Sequence, residues 1–457
     1  METHHHKRSA FSGKLGFVLS AAGASVGLGN IWRFPYLAAK YGGGIFLLIY
    51  IILAFTFGYT MIVAETALGR MTKKSPVGAF AAFGKGGGFA FGGWINAIIP
   101  ILIVPYYSVI GGWVIKYLVE YLRGGGSALA QDGYFSEFIS SGVSVELCFV
   151  VFTLFTLGII YAGVRNGVER VSKCMMPVLA VLSVIIAVYS VTRPGALAGV
   201  KYFLVPNLDN FSWMTVVSAM GQMFYSLSIA MGILITFGSY MKKDVSIEGS
   251  TTNVEIFDTA IAIMAGLMII PAVFAFSGGD PDTLQAGPAL MFITIPKVFD
   301  SMGMGTVVGV MFFLLVLFAA VTSSIALTES AVSTFEDELG WKRHKSTLLI
   351  GVIMVALGSL SALGYGPLAG VTVFGMQFLD LFDFLTNSVM MPIAAIATCL
   401  LVSRVVGVDK IEEEVTQNGG QFRRKAVFNF MIRYLCPLFA AIILVSSVAN
   451  ALGWIKM

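Results

Sequence analysis

Three glycines and an asparagine interrupt the first apolar stretch of the chain. Residues 22–35 read AGASVGLGNIWRFP, with Gly23, Gly27 and Gly29 close together. Each glycine lowers helix propensity by roughly 1 kcal/mol relative to alanine, so the backbone can unwind here. Unpaired amide and carbonyl groups survive in a bilayer only where a cavity, an ion or a ligand satisfies them. The segment therefore predicts a binding site near the middle of a membrane.

A second apolar stretch has a similar interruption. Its sequence GQMFYSLSIAMGILITFGSY places Gln222, Ser226, Ser228 and Gly232 among apolar residues. For a single stretch, close helix packing through glycine and serine is the more common explanation. Two broken helices at corresponding positions of two halves are instead typical of an inverted-repeat transporter. The matched pair favours a transporter.

Two further sets of polar residues lie in apolar stretches. Thr322, Ser323 and Ser324 offer hydroxyl oxygens that suit a weakly held monovalent cation, although they could simply bond to the preceding helical turn. Asp258, in NVEIFDTAIAIMAGL, offers a full negative charge to a cation. A carboxylate at this depth is a functional candidate, the alternative being that it caps the start of its helix.

The composition defines the elements that must position these groups. Apolar residues make up 57% of the 457 residues, charged residues 12%, and the mean hydropathy is +0.85. Apolar runs of about 18 or more residues recur along the chain, which favours membrane helices over the short alternating strands of an outer-membrane barrel. We predict an all-α polytopic membrane protein with eleven transmembrane helices, at about 12–38, 44–70, 90–121, 145–163, 167–192, 214–240, 257–278, 305–335, 346–364, 370–403 and 427–453.

The predicted helices form one transporter domain over residues 1–457. Five helices (12–192) and five more (214–403) make a 5+5 inverted repeat with broken helices 1 and 6, followed by one additional helix (427–453). Lys and Arg gather on one side, roughly 20 of the 29, which predicts a multi-pass protein of the cell inner (plasma) membrane. Its N-terminus is predicted to be cytoplasmic, without a signal peptide, and its C-terminus extracellular. The segments 193–212 and 277–305 are expected to cover the outer mouth as lids or as plain loops.

Several classes of protein are disfavoured. Cys148, Cys174, Cys399 and Cys436 lie in or beside apolar segments with no metal-binding spacing, so neither a disulfide nor a transition-metal site is predicted. The tract from His4 to His6 is interpreted as a solvated tail rather than a metal site. No GxxxxGK[ST] loop is present, and neither an enzyme nor a nucleic-acid-binding protein is indicated.

The segments GLGNIWRFP, GQMFYSLS and TSSIA carry a family resemblance. They resemble the neurotransmitter:sodium symporter family, in particular its bacterial amino-acid transporters of the leucine-transporter type. The likeness extends over nearly the whole chain, and the NIWRFP motif is highly specific. Many relatives have a twelfth helix, whereas eleven helices are predicted here. The chain therefore resembles an eleven-helix variant.

The resemblance implies two sodium sites. The first would be formed by the substrate carboxylate together with Ser25, Asn30, Ser226 and Asp258; the second by Gly23, Val26, Ala319, Thr322 and Ser323. Asp258 stands where the best-known bacterial member has asparagine. Since animal relatives use chloride as a nearby counter-charge, the acid predicts chloride-independent transport.

The resemblance also implies a substrate pocket. The substrate carboxylate would meet the amides of Leu28 and Gly29, the first sodium and the Tyr107 hydroxyl, and the amine would meet carbonyls of Ser25, Tyr225 and Ser226. The predicted pocket residues are Ser25, Leu28, Gly29, Ile103, Tyr107, Tyr225, Ser226, Ser228, Met231, Ser323 and Leu327.

Two positions bear on which substrate fits this pocket. Gly27 replaces the aspartate of monoamine carriers, so a neutral α-amino acid, hydrophobic or small, is expected. Ala230 replaces a glycine of the leucine transporter and is expected to narrow the pocket, whereas the flexible Met231 adapts to different shapes.

The family pairs charges across two gates. Arg33 and Asp383 match the outer pair, with Tyr107 and Tyr225 closing beneath it. Arg8 and Asp337 match the inner pair, beside Phe11, although ordinary solvated charges are a fair alternative for these two. Gly167 and Pro177 resemble a Gly-X9-Pro motif whose helix unwinds to release the second sodium inward.

Together these features predict a sodium-coupled symporter that imports a neutral, hydrophobic α-amino acid by alternating access. Its expected partners are that amino acid, sodium ions and membrane lipid. A sodium-dependent sensor that binds amino acids without transporting them is the alternative. A passive ion channel is disfavoured, because paired inner and outer charges suit a carrier that occludes its ligand.

Overall fold

The structure is a computed structural model that describes residues 9–84, 87–279 and 287–454. Within these ranges the chain is nearly all helical, apart from one isolated β-bridge between Val373 and Met376. The predicted tail histidines from His4 to His6 and the predicted gate residue Arg8 lie outside the described residues. The helical class of the protein is therefore confirmed.

Nine helices in the described part of the chain are long and apolar enough to cross a membrane. They are α3 (Gly44–Thr72), α4 (Gly88–Leu122), α5 (Gly142–Tyr161), α6 (Val164–Val191), α9 (Ile247–Ser277), α10 (Gly305–Leu339), α11 (Arg343–Leu363), α12 (Phe378–Val406) and α13 (Lys425–Ala451). Two shorter pairs, α1 (Lys14–Ser25) with α2 (Gly29–Lys40) and α7 (Trp213–Ser226) with α8 (Ile233–Tyr240), complete the set.

The two short pairs coincide with the predicted broken spans. α1 and α2 meet at an angle of 54° and, counted as one span, raise the number of spans to ten in the described residues. α7 and α8 are separated by residues 227–232, and neither is long enough to cross a bilayer by itself. The total of eleven spans and the 5+5 repeat therefore stay predictions.

Two predicted boundaries are wrong. The seventh span begins at Ile247 rather than near residue 257, because its polar first turns are buried against neighbouring helices and Ser246 caps them. The Ser246 hydroxyl accepts from the Gly249 amide at 3.1 Å. The tenth span begins at Phe378 rather than near residue 370, since the preceding residues form turns in which Phe374 has a left-handed φ of 52°.

Glycines allow a close helix approach between α3 and α8. A Cβ atom on Gly69 would lie 1.9 Å from the Ile235 carbonyl oxygen, and one on Gly238 would lie 2.4 Å from the Thr66 carbonyl oxygen. Small residues permit such backbone contacts between membrane helices, where packing rather than hydrophobic burial drives association. This contact fixes the second half of the sixth span against α3.

A buried arginine holds the predicted inner face together. Arg70, at the end of α3, is almost fully buried, and its Nε lies 2.6 Å from Glu414 Oε1. Its Nη1 donates to the Val245 carbonyl at 2.6 Å. Through Glu414 and Val245, Arg70 therefore links α3 to the short helix Val408–Thr416 and to the loop before α9.

A second arginine fastens the last helix to the bundle. Arg424, just before α13, makes two hydrogen bonds of 3.0 and 2.7 Å to the buried carboxylate of Glu255 on α9. Its guanidinium carbon lies 3.5 Å from the ring centroid of Tyr59 on α3. Because a paired, hydrogen-bonded geometry offsets the cost of burying charge, this contact joins α13 to both α3 and α9.

The two outer segments contain short helices. The first holds Ala196–Leu204, and a Cβ atom on its Gly199 would lie 2.8 Å from Pro271 Cα of α9. In the second, Leu290–Thr294 continues into Ile295–Asp300, and the Tyr117 hydroxyl donates to the Phe292 carbonyl at 2.8 Å. The described parts of both segments pack on the bundle, and their role as lids stays a prediction.

The α3–α8 contact gives a stability test. Gly69→Ala places a methyl group against the Ile235 carbonyl and should destabilise the protein by about 1–3 kcal/mol, a typical cost of overpacking. Gly158→Ala, in α5, is the matched control, because nothing lies within 4 Å of the added methyl group. Thermal unfolding of the detergent-solubilised protein should show a lower midpoint for the first variant alone. Equal midpoints would contradict the described contact.

Candidate transport site

The first helix breaks within its glycine-rich segment. α1 ends at Ser25, Val26 is extended (φ −72°, ψ 98°), and α2 begins at Gly29. The freed Gly27 amide donates to Asn30 Oδ1 at 3.1 Å. A side chain thus replaces the carbonyl that a continuous helix would supply.

The carbonyl groups released by this break converge on α10. The Ser323 hydroxyl lies 3.3, 3.2 and 3.3 Å from the carbonyl oxygens of Gly23, Ala24 and Val26. The Ser228 hydroxyl also donates to the Ala24 carbonyl, at 2.9 Å. A hydroxyl has one proton and satisfies one acceptor at a time, so carbonyl oxygens remain available to a cation.

The remaining residues predicted for the second sodium site lie beside these carbonyls. A Cβ atom on Gly23 would lie 3.0 Å from Thr322 Cβ. The Thr322 hydroxyl lies 2.9 and 3.2 Å from the carbonyl oxygens of Phe318 and Ala319. In this conformation that hydroxyl therefore bonds to the preceding turn of its own helix, which was the predicted alternative to cation binding.

Asp258 is fully buried well inside α9. The helix begins at Ile247, so Asp258 lies about three turns from its start. The capping role belongs to Ser246, and the alternative that Asp258 caps the helix is wrong.

The Asp258 carboxylate joins both helix breaks. Asn30 Nδ2, from the first break, donates to Asp258 Oδ1 at 2.8 Å and to Ser226 Oγ at 2.9 Å. Ser226, the last residue of α7, donates to Asp258 Oδ2 at 2.9 Å, and the Tyr50 hydroxyl lies 3.1 Å from Ser226 Oγ. The carboxylate has no basic partner among the described residues, so it can accept a bound cation.

The second break is held in a strained conformation. Between Ser226 and Ile233, the residues Ser228 and Ala230 adopt left-handed φ values of 53° and 59°. This conformation costs roughly 1–2 kcal/mol for a residue with a side chain. The Ala230 amide donates to Glu65 Oε1 at 2.8 Å, which helps to hold the strained segment.

A small cavity of about 30 Å³ lies between the two breaks. All eleven predicted pocket residues line it, together with three more; the full set is Ala24, Ser25, Gly27, Leu28, Gly29, Asn30, Ile103, Tyr107, Tyr225, Ser226, Ser228, Met231, Ser323 and Leu327. Ala230 does not line the cavity, because its amide is turned toward Glu65. The expectation that its methyl group narrows the pocket is therefore wrong.

The cavity is polar at the helix breaks and apolar elsewhere. At the polar end the Leu28 amide donates to the Tyr107 hydroxyl at 3.3 Å, a long bond that a stronger acceptor can replace. Ile103, Met231 and Leu327 supply apolar surface. Such a site suits a small molecule that has a charged end and an apolar side chain.

A larger cavity, about 450 Å³, lies on the other side of Tyr225, which lines both spaces. Arg33 and Asp383, the pair predicted for the outer gate, line this larger cavity. Arg33 lies 5.3 Å from the Tyr225 ring centroid, whereas Asp383 accepts from Tyr106 at 3.2 Å and from Asn387 at 2.6 Å. In this part of the described structure the two charges share a cavity without forming an ion pair.

The opposite side is closed by the start of the chain. Phe11 is buried, and its amide donates to the Tyr240 carbonyl at 3.1 Å. Asp337 accepts from the Ser75 amide at 2.6 Å. Since Arg8 lies outside the described residues, the pairing of Arg8 with Asp337 stays a prediction.

The fifth span is wound in this conformation. α6 is continuous through Pro177, and a Cβ atom on Gly167 would lie 2.0 Å from the Ile159 carbonyl oxygen. Close packing therefore explains the glycine at this position, and the unwinding predicted for the Gly167–Pro177 segment stays a prediction. Glu169, within the same segment, accepts from the Ser12 amide at 2.9 Å and ties the helix to the start of the chain.

Sequence reasoning missed two residues of the site, Tyr50 and Glu65, and the role of a third, Gln222. Tyr50 joins the Asp258 network, yet a tyrosine in an apolar stretch carries no clear signal. Gln222 Nε2 donates to the Gly29 carbonyl at 3.0 Å, and its amide among apolar residues indicated a functional position without a role. Glu65 was detectable, since a lone acid inside a membrane span is a functional candidate.

Discontinuous helices, a cavity between them and a buried carboxylate together define a secondary transporter. The comparison with protein families gives the same answer. The chain belongs to the sodium:neurotransmitter symporter family, whose model matches residues 8–125 and 135–454. It is a sodium-dependent, multi-pass membrane transporter and not an enzyme.

Similar proteins cover almost the whole chain. The uncharacterized sodium-dependent transporter YhdH of Bacillus subtilis (strain 168) is 34% identical over 441 residues, covering 95% of this chain and 96% of that protein. The sodium- and chloride-dependent GABA transporter 2 of Macaca fascicularis is 28% identical, covering 94% of this chain and 77% of that protein. The crystal structure of MhsT in complex with L-phenylalanine is 33% identical with a TM-score of 0.86, covering 96% of this chain and 100% of that chain.

The cavity gives a direct test. Gly27→Ala places a methyl group 2.7 Å from Ser323 Oγ and 3.0 Å from the Tyr107 hydroxyl, so it should fill part of the cavity. We expect sodium-dependent uptake by reconstituted protein to fall about tenfold or more, equivalent to about 1.4 kcal/mol. Gly158→Ala, on α5, is the control because its methyl group meets nothing within 4 Å and it lines neither cavity. Equal losses in both variants would show that the cavity is not the site.

Proposed function

We propose that the protein is a sodium-coupled symporter that imports a neutral, hydrophobic α-amino acid by alternating access, independently of chloride. The observation that carries the proposal is the meeting of both helix breaks at Asp258, where Asn30 and Ser226 bond to the same carboxylate. The L-phenylalanine bound to MhsT, 33% identical to this chain, supports an amino acid as substrate.

The cavity supports a specific orientation of the substrate. Its carboxylate would bind at the amides of Leu28 and Gly29 and at the Tyr107 hydroxyl, because the start of α2 presents amide groups and a positive dipole. Its amine would bind at the carbonyl groups of Ser25 and Tyr225, with that of Ser226. Gly27 supplies no side-chain carboxylate at this position. The negative charge is therefore supplied by the carboxylate of a zwitterionic substrate.

Two sodium ions are proposed. The first would bind between Ser25, Asn30, Ser226 and Asp258, with the substrate carboxylate as a further ligand. The second would bind the carbonyls released by the first break and the hydroxyls of α10, contributed by Gly23, Val26, Ala319, Thr322 and Ser323. Both sites use oxygen ligands at broken helices, which is the usual arrangement for coupling ions in inverted-repeat transporters. Each sodium ion entering would contribute about 2.3 kcal/mol per 100 mV of membrane potential.

The Asp258 carboxylate is also the basis for proposing chloride independence. It supplies a fixed negative charge beside the first sodium site, so no mobile anion is needed to balance the cations. The relative from Macaca fascicularis is named for chloride dependence, so this property varies among similar proteins.

The conformation supports alternating access. The start of the chain is packed beneath the cavity, whereas Arg33 and Asp383 are unpaired with each other across the outer cavity. We infer an outward-facing form that closes when this ion pair forms and opens inward when Phe11 and Asp337 release their partners. A pair at the wall of this cavity that is weak enough to break and re-form suits such a gate. The cytoplasmic N-terminus, the extracellular C-terminus and the 5+5 repeat are part of this proposal.

The test is uptake into proteoliposomes of a mixture of labelled neutral amino acids, with and without an inward sodium gradient, at zero chloride. We expect sodium-driven accumulation above equilibrium, with hydrophobic amino acids preferred. Binding without accumulation would favour a sensor. The absence of any response to sodium would refute both ion sites.

A second test concerns the chloride requirement. Asp258→Asn removes the fixed charge, so sodium-driven uptake without chloride should fall about tenfold or more, and added chloride should restore part of it. Asp209→Asn makes the same chemical change at an exposed position and should have no effect. If the first variant needs no chloride and keeps its sodium affinity, the role of Asp258 is wrong.

A further inference from the structure

Glu65 is an isolated carboxylate in the middle of the bundle. Its side chain is fully buried on α3. Glu65 Oε1 accepts from the Ala230 amide at 2.8 Å, and Oε2 has no hydrogen-bond partner among the described residues. The Ala230 amide is thus its single hydrogen-bond partner in the described part of the chain.

The other buried carboxylates of the described chain are better satisfied. Each has either a basic side chain or three hydrogen-bond donors as partners. Four of them form ion pairs: Glu169 with Lys173, Glu255 with Arg424, Glu329 with Arg343, and Glu414 with Arg70 and Lys243. The other two, Glu248 and Asp258, each accept hydrogen bonds from three donors. Glu65 differs from all of them.

The elements packed against Glu65 bring no charge to it. The break at 227–232 and the helix Pro76–Ala81 have no titratable residue, and Tyr240 at the end of α8 donates to Glu329 at 2.7 Å. The remaining titratable or charged residues on the neighbouring elements α3, α9, the helix Val408–Thr416 and the start of α13 are either paired elsewhere or exposed. They are Tyr50, Tyr59, Arg70, Glu248, Glu255, Asp258, Asp409, Lys410, Glu412, Glu413, Glu414, Arg424, Lys425, Arg433 and Tyr434.

An ionised carboxylate in this position would leave a full charge with a single amide donor. Burying an isolated charge costs far more than burying a neutral group, because water no longer solvates it. A bound proton removes that charge while one carboxyl oxygen keeps its bond to the Ala230 amide. We propose that Glu65 is a proton-binding site linked to the break between α7 and α8, so that a proton is a ligand of the transporter alongside sodium and its substrate.

The position of Glu65 explains how this proton would affect the transport site. Ala230 lies in the strained segment between Ser228 and Met231, both of which line the cavity. Loss of the proton creates a carboxylate that draws further amide donors toward it, and the strained segment must rearrange. Ser226, at the other end of that break, bonds to Asp258, so the change reaches the candidate sodium site. The inference rests on the sodium dependence of the family and not on which substrate is carried.

Infrared spectroscopy tests the proton itself. In sodium buffer, the difference spectrum of wild type minus Glu65→Gln should contain the C=O band of a protonated carboxyl group, and this band should shift in heavy water. The same band should persist in Asp258→Asn, which removes the other candidate carboxyl group. A spectrum without the band, or a band lost in Asp258→Asn and kept in Glu65→Gln, overturns the proposal.

Sodium binding tests the linkage. With radioactive sodium and no substrate, raising the pH should weaken binding by up to about tenfold per pH unit in the wild type, the limit for one linked proton. Glu65→Gln, which is permanently neutral, should bind sodium independently of pH. A proton on Asp258 would instead compete with sodium, so that raising the pH strengthens binding. The same pH dependence in wild type and Glu65→Gln would refute the linkage.

A conservative variant covers the case in which Glu65→Gln does not fold. Glu65→Asp keeps a carboxyl group but changes its contact with the Ala230 amide, so the infrared band should move to a new frequency. An unmoved band would assign the proton to another residue. Because none of these measurements involves transport, failure of the proposed symport and failure of the proton site give different results.

Discussion

The structure depends on one constraint, that backbone amide and carbonyl groups inside a bilayer must be paired. Both broken spans expose such groups, and nearby side chains satisfy many of them. Asn30 accepts from the Gly27 amide, Gln222 donates to the Gly29 carbonyl, and Glu65 accepts from the Ala230 amide. The groups left over are those around the cavity. The same pairing that makes the breaks tolerable therefore determines which polar groups face a ligand.

This constraint also explains how much the sequence could predict. Glycine and serine clusters indicated both breaks, because helix propensity is a local property. The start of α9 was misplaced because IEGSTTNVEI resembles a loop, yet Ser246, Arg424 and neighbouring helices satisfy its polar residues. The role of Tyr50 could not be predicted, since its hydroxyl meets Asp258 only through tertiary packing across 208 residues of sequence.

The proposed coupling of sodium and substrate depends on residues shared between sites. Ser226 ends α7, lines the cavity and bonds to Asp258. Ser323 lines the same cavity and faces the carbonyls released by the first break. In the proposed cycle, an ion at either site thus positions groups that also contact the substrate. Such shared ligands give reciprocal coupling, in which each ligand raises the affinity for the other by the same factor.

The bond between Arg424 and Glu255 changes how the last helix is understood. α13 lies outside the predicted repeats, which suggests a passive addition to the bundle. Arg424 nevertheless forms hydrogen bonds to Glu255 of α9, one helical turn from Asp258, and lies over the ring of Tyr59 on α3. If α9 tilts while the transporter changes sides, α13 is pulled with it, and its broad lipid-facing surface must sweep through the surrounding membrane. The thickness and stiffness of the bilayer then become part of the mechanical load on each transport cycle.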